Sequence, residues 1–594
     1  MKLSEILDRW LPALVVVLVT IAYANHFHNE FQFDDGHAVV DNLAIRDLRN
    51  IPRMFVNGKL ISALAVNQNY RPLTAASFAI DYALGGGLIP FYFHITTFFV
   101  FILQLLAMGC LFSQILPNRR QAWLAVALYG VHPVGAQTVN YICQRSEVYV
   151  AAFLCIGLYL YIRQKPGWAA VAFILAGLTK QNGLVFPALL LAYEYFLGRK
   201  SFRKTIPLVL LGFVLTVFVL KMTPKTFEIG RDSVVHYWAT QPFVLMTYLK
   251  QAILPTDLVG DSDMRPFANL TTPLAVAGYF GLACVIVVAF SKRGQIGFGL
   301  SWFIISQAPT LLAPFSDVTN DHRMYVPFIG LALIAGHLAS TPRRQVLLAL
   351  LLPLAIFATL ERNRIWATHE AFWYEVTVKS PGDGRGWMNY ALSVMAQGRN
   401  EEALEALLIA RPLTSEAFSP LWLNFGVIYG LLNEHDKAEA AFKKAMEVDP
   451  GTTPMYIYGN WLASRQRTAE AVVYLRKALL GNPNDPRPLS VLSAIWNNAS
   501  KLAQREQRAS RFTDLAMLFF LDEKYDNAIR ACEHASTLDP KDPVPHNNRA
   551  ACYIRLGKWI EAEQAALKAL ELQPDFPSAQ ENLTKARYHL KNKG

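Results

Sequence analysis

Long apolar runs dominate residues 10–360, and this feature constrains the chain more than any other. A hydrocarbon core roughly 30 Å thick takes about 20 apolar residues as a helix. Residues 380–594 hold no run of that length and are rich in Ala, Leu, Glu, Lys, Arg and Asn. With 594 residues there is room for more than one domain. The sequence therefore divides into a multi-spanning helical membrane part, residues 1–365, and a water-facing part, residues 366–594.

Eleven spans are expected, near 11–27, 88–116, 122–142, 147–162, 167–178, 184–197, 206–221, 273–290, 297–315, 324–339 and 346–360. The third is interrupted by "GVHPVG". Broken helices are tolerated at membrane depth where they line a cavity inside the protein. The apolar stretch 242–254 is too short to span and is expected at an interface. The N-terminal string has no small-residue cleavage site and reads as a retained first helix. Six cysteines are too few and scattered for a disulfide framework.

Loop charges orient the spans. The loops around Arg119–Arg120, Arg163–Lys165, Arg199–Lys204, Lys292–Arg293 and Arg343–Arg344 carry twelve Lys and Arg and no Asp or Glu. They alternate as one face, which the positive-inside rule makes cytoplasmic. Much of the +11 net charge thus reads as topology rather than as a nucleic-acid surface. The opposite face, periplasmic in a bacterium or lumenal in a eukaryote, receives the loop 28–87 and everything after residue 360.

Residues 366–594 repeat a pattern of small residues followed by proline. Segment 419–452 has Gly426, Tyr429, Ala438, Phe442, Ala445 and Pro450. Segment 452–485 has Gly459, Ala471, Leu475, Ala478 and Pro483. Segments 509–542 and 543–576 follow with Ala516, Ala528, Ala535, Pro540 and with Ala550, Ala562, Ala569, Pro574. This is the grid of tetratricopeptide repeats, whose small residues let antiparallel helices approach and whose stacking buries a continuous core. Residues 383–416 read as a degenerate first repeat and 486–508 as an irregular helix pair. Such arrays bind extended peptide along a groove.

The loop after the first span reads "NEFQFDDGHAVVDNLAIRD". Asp34 and Asp35 form a carboxylate pair beside aromatic residues near the membrane surface. That arrangement suits a general base or a cation site, and equally a helix cap with a turn at "DDG". Other ionisable residues fall at the outer ends of apolar runs or in outer loops: Arg71, His132, Arg145, Lys180, His322 and Arg323. Taken singly, each reads as a side chain snorkelling to the interface or as functional. Taken together, with a carboxylate pair on their face, they suit a phosphate-linked lipid.

Ordered strings carry a more specific signal. They are "FQFDDGHAVVDN", "NYRPLTAASFAIDYALGGGLIPFYFH", "ALYGVHPVGAQTVNYICQRSEVYVAAF", "GLTKQNGLVFPALLLAYE", "NDHRMYVPFIG" and "RNRIWATHEAFWYEVTVKSPGDGRGWMNYA". With the repeats, the set resembles the transmembrane and tetratricopeptide-repeat-containing protein O-mannosyltransferases, members of the GT-C glycosyltransferase superfamily. The resemblance covers essentially the whole chain. It implies an all-α, GT-C-like membrane domain followed by a repeat solenoid. It implies an inverting enzyme that moves a hexose such as mannose from a polyprenyl-phosphate donor to Ser or Thr of an acceptor protein held by the repeats. Asp34 or Asp35 would be the catalytic base, and Arg71, His132, Arg145, Lys180, His322 and Arg323 would hold the donor phosphate. In "GLTKQNG" the chain has Gln181 where the resemblance leads one to expect an acidic residue beside Lys180.

Two other readings compete. One is a ligase transferring a whole lipid-linked oligosaccharide, since some such ligases also carry tetratricopeptide tails. The other is a non-enzymatic membrane-anchored repeat scaffold, which would need neither many spans nor an acidic loop. No metal-ligand spacing is present, although carboxylates and histidines on one face could hold a divalent ion. No Gly-rich phosphate loop appears, which argues against a nucleotide-sugar donor.

Overall fold

The computed structural model describes residues 3–198, 202–226, 233–483 and 485–592. Arg199 and Lys200, two of the loop cations, lie outside the described residues. Every regular element described is helical. The chain forms two compact units, Met1–Ser393 and Val394–Gly594.

Ten of the eleven apolar segments coincide largely with a helix of the first unit, and 122–142 is divided between Arg119–Val131 and the short turns after it. Among the described residues, four helices are long and apolar enough to cross a membrane: Pro90–Ile115, Ile142–Ile162, Pro273–Ser291 and Pro342–Arg364. Arg9–Ala22, Pro166–Thr179 and Ile206–Met222 are shorter apolar helices. Pro273–Ser291 and Pro342–Arg364 leave most of their apolar surface uncovered, with Phe280 72% and Leu354 68% exposed. Water would penalise such contiguous apolar faces, whereas hydrocarbon does not.

Breaks in these helices follow from local chemistry. Arg119–Val131 stops where Pro133 forces His132 into extended backbone (φ −77°, ψ 133°). Its capping residue Asn118 accepts from the Gln121 N–H at 2.9 Å. Inside the expected outer loop lies a further helix, Pro72–Gly85, ended by Gly86 in the left-handed region (φ 64°). The stretch placed at 242–254 is part of a longer helix, Val234–Ile253, with Pro242 inside it. Polar residues at 234–241 concealed it from a count of apolar residues, yet Tyr237 and Thr240 are fully buried.

The first unit also takes in residues beyond 365. Trp366, Phe372 and Trp373 are 0%, 1% and 5% exposed. Trp366 stacks on Tyr141 with ring centroids 5.8 Å apart. This aromatic burial holds the helix His369–Lys379 to the first unit.

The second unit is a stack of helix pairs. Ser419–Leu431 pairs with His435–Val448, and Thr452–Ser464 with Thr468–Gly481. Ala509–Leu521 pairs with Tyr525–Leu538, and Val544–Arg555 with Trp559–Leu572. The grid alanines 438, 445, 471, 478, 528, 535, 550, 562 and 569 are fully buried. A Cβ on Gly426 would lie 2.5 Å from the Phe442 ring, so the close approach requires glycine there. Between the second and third of these pairs the structure corrects the expected irregular pair: Pro486–Glu506 is one continuous 21-residue helix.

Candidate functional site

The first loop is built from short turns closed by its own side chains. Asn42, Asp47 and Asn57 each accept from the backbone N–H two residues on. Within it the two aspartates have different fates. Asp35 is fully buried, and its two carboxylate oxygens accept from the Gln32 N–H at 3.0 Å and the Cys143 N–H at 2.8 Å. Burial pushes its carboxyl up to about 6, against the pull of those donors. Asp35 joins the first loop to the turn before Arg145.

Asp34 keeps 41% of its side chain exposed. Its backbone N–H donates to the Tyr141 hydroxyl at 2.9 Å, and a carboxylate oxygen lies 3.3 Å from His37 Nε2. Ser62 Oγ lies 3.0 Å from His37 Nδ1, and the Asn67 carboxamide lies 2.6 Å from the same Nε2, where only its oxygen can face a proton that Nε2 directs to Asp34. Burial alone would raise the Asp34 carboxyl. The His37 hydrogen bond and charge, the Tyr141 hydroxyl and the Arg385 charge outweigh it and hold the group below the ordinary aspartate value. Asp34 is therefore an ionised, reachable carboxylate.

Four of the six sequence-predicted cationic residues converge. Arg71 immediately precedes the helix Pro72–Gly85. Lys180 follows Pro166–Thr179, and His322 and Arg323 form the turn Asp321–Met324 before Tyr325–Leu338. They stand close enough for the charges of Arg71, Lys180 and Arg323 to act on His322, and for Asp34 to act on Arg71. Lys180 Nζ pairs with Glu147 at 2.7 Å and donates to Gln144 Oε1 at 2.8 Å. Glu147 also accepts from Asn182 at 2.8 Å. The acidic residue expected beside Lys180 in sequence is thus supplied from another helix. His322 is fixed through its backbone N–H, which donates to Gln137 at 2.7 Å. The Arg71 and Arg323 guanidiniums and the Lys180 ammonium gather beside Glu147 and Asp34, and their positive charge suits a bound anion.

Arg145 and His132 are not brought into this cluster. Arg145 is fully buried, pairs with Asp81, donates to the Phe93 carbonyl at 2.6 Å and stacks on Phe78 at 5.1 Å. His132 accepts from the Val134 N–H at 3.3 Å and packs on Phe328 at 4.7 Å. Both side chains are engaged in holding helices. Among the described residues, no group of three or more His, Cys, Asp or Glu is placed to hold a metal ion.

Sequence reasoning missed His37, Tyr141, Glu147 and Arg385. His37 had a signal, since it follows Asp34 by one turn in "DDGH". Glu147 and Arg385 had none, because their partners are remote in sequence.

Fold and site together define a helical protein with membrane-length apolar helices, a cationic cluster at helix ends beside a reachable aspartate, and a helix-pair repeat unit. Tetratricopeptide-repeat family models match residues 419–452 and 519–586. The chain is 22% identical to protein O-mannosyl-transferase TMTC3 of Mus musculus over 94% of its own length and 63% of that protein's. Against protein O-mannosyl-transferase TMTC1 of Homo sapiens it is 23% identical over 66% of the chain and 54% of that protein. The resemblance carried by the ordered strings therefore extends across nearly the whole chain. The chain spans less than two thirds of the length of these relatives. Among solved structures, the tetratricopeptide protein YrrB, described as having an unusual peptide-binding site, covers 35% of the chain at 18% identity, with a TM-score of 0.20.

Proposed function

We propose that this protein is a membrane glycosyltransferase that moves a hexose, such as mannose, from a polyprenyl-phosphate donor to Ser or Thr of an acceptor protein. The observation that carries the reading is the pairing of one reachable, ionised carboxylate, Asp34, with the Arg71–Lys180–Arg323 cluster. The names of the relatives support the same reaction class.

In this mechanism the Asp34 carboxylate takes the proton of the acceptor hydroxyl. The hydroxyl oxygen forms a bond to the sugar C1 from the face opposite the phosphate. The bond between C1 and the phosphate oxygen breaks, and the lipid phosphate leaves with its electron pair. Arg71, Lys180 and Arg323, with His322 beside them, stabilise the charge growing on that phosphate. Inversion at C1 follows from the single displacement. Asp35 holds the loop and does not touch the acceptor. The eleven helical segments act as crossings in a GT-C-like arrangement, with this site on the extracytoplasmic face, and the repeats capture the acceptor.

The test is transfer by full-length protein in nanodiscs from a polyprenyl-phosphate hexose to a Ser/Thr peptide. One added hexose per modified residue, lost in Asp34→Asn, supports the proposal. Addition of a whole oligosaccharide would favour the ligase reading instead.

A further inference from the structure

Phe33 occupies the left-handed backbone region with φ +53°. That conformation is sparsely populated for a residue with a bulky side chain and persists only where the surroundings enforce it. Phe33 immediately precedes Asp34, so its backbone angles decide where the Asp34 side chain is aimed.

Three aromatic rings and a guanidinium pack against the Phe33 ring. Tyr141, Trp373 and Phe372 approach with centroids 5.8, 5.6 and 6.3 Å away. The Arg385 guanidinium covers a ring face at 5.2 Å. Arg385 is itself anchored. It forks onto the buried Asp261 at 2.7 and 2.6 Å and reaches Asp317 at 3.1 Å. Burial raises the Asp261 carboxyl, and the Arg385 charge pulls against that rise. The planar fork can satisfy a carboxylate and lie on an aromatic ring at once, which an ammonium cannot do. One side chain thus ties the first loop to the segments carrying Asp261 and Asp317.

We infer that Arg385, acting through Phe33, sets the position of the Asp34 carboxylate and is a positioning residue for the transfer reaction. The inference rests on the reading of Asp34 as the base. The charged and titratable groups that interact with Asp34 are His37, Tyr141, Arg385, Arg71, Asp35 and Cys143. Of these, Tyr141 and Arg385 also hold the backbone that presents it, Tyr141 by accepting the Asp34 N–H and packing on Phe33, Arg385 by covering the Phe33 ring.

The test compares wild type, Arg385→Ala, Arg385→Lys and Phe33→Leu as full-length protein in nanodiscs. Amide hydrogen exchange reads the clamp, and transfer kinetics read its consequence. Phe33→Leu leaves the Arg385–Asp261 pair intact and guards against misfolding of Arg385→Ala. The expected result is faster exchange confined to the amides of residues 34–38, on the order of tenfold. With it, kcat falls on the order of tenfold to a hundredfold at unchanged donor KM, and Arg385→Lys is intermediate. The acid limb of the rate profile moves to higher pH in Arg385→Ala but not in Phe33→Leu. Wild-type exchange in both Arg385→Ala and Phe33→Leu overturns the inference whether or not the wild type transfers sugar. Loosening spread over the whole membrane half, or faster exchange at residues 34–38 with unchanged kcat, overturns it too. Local loosening in a protein whose wild type transfers no sugar instead overturns the reading of Asp34 as base and leaves the clamp in place.

Discussion

Lys180 Nζ lies 2.7 Å from the Glu147 carboxylate, with both side chains almost wholly buried. A buried pair is costly to break on one side, because the remaining charge is uncompensated. Lys180→Met should therefore lower stability on the order of 3–5 kcal/mol. Lys180→Met with Glu147→Gln should recover most of the loss. Thermal unfolding in nanodiscs measures both, and equal stability of the single and double variants would contradict the pairing.

Among the described residues Arg71 and Arg323 make no direct ion pair, unlike Lys180, although the charges of Glu147 and Asp34 act on Arg71. Arg71→Ala or Arg323→Ala should weaken donor use, reducing kcat/KM about 10- to 100-fold with a melting temperature close to wild type. Arg145→Met should do the reverse, since it strands the buried Asp81. It should lower stability while the folded fraction keeps its donor KM. Steady-state kinetics on monodisperse protein separate the two patterns.

Asp34 is held below the ordinary aspartate value, so its folded form is ionised above that lowered value and protonates only beneath it. If Asp34 is the base, transfer persists as pH falls through the ordinary value, about 3.9. It is lost as pH passes the depressed one. His37→Gln removes one of the supports and should move the acid limb upward. A limb that stays in place on this substitution would show that His37 does not support the charge.

Asp35 titrates in the opposite sense. Its folded value, about 6, lies above the unfolded one. The protonated form is favoured in the fold, so this contribution is fully present below about pH 4 and is lost as pH rises toward 6. Asp35→Asn should flatten that part of the stability profile. It should also cost about 1–3 kcal/mol, because an amide offers one oxygen to two backbone N–H donors. Melting curves between pH 4 and 7 check the slope.

Much of the fold is legible in sequence because it depends on local periodicity. Apolar runs placed the membrane-half helices, and the Ala–Ala–Pro grid placed the repeat pairs. Where polar residues are buried the reading falters, as at Tyr237 and Thr240, which extend the helix Val234–Ile253 beyond its apolar stretch. The candidate site is less legible because its roles are decided across the fold. Asp34 and Asp35 are equivalent as adjacent letters. Burial and donation from the Gln32 and Cys143 N–H groups make Asp35 structural, while Asp34, after the turn at Phe33, stays partly exposed. Arg145 reads as a phosphate ligand until Asp81 is seen to hold it, and Gln181 reads as a missing acid until Glu147 is seen to supply it.

The central claim is that Asp34 takes the acceptor proton, and single-turnover transfer by Asp34→Asn tests it most directly. The assay uses the full chain in nanodiscs, a polyprenyl-phosphate hexose and a Ser/Thr peptide, with donor binding and melting temperature measured on the same samples. The account predicts one added hexose in wild type. It predicts a rate at least about 100-fold lower in Asp34→Asn, with donor binding and melting unchanged. Transfer by Asp34→Asn at the wild-type rate would contradict it.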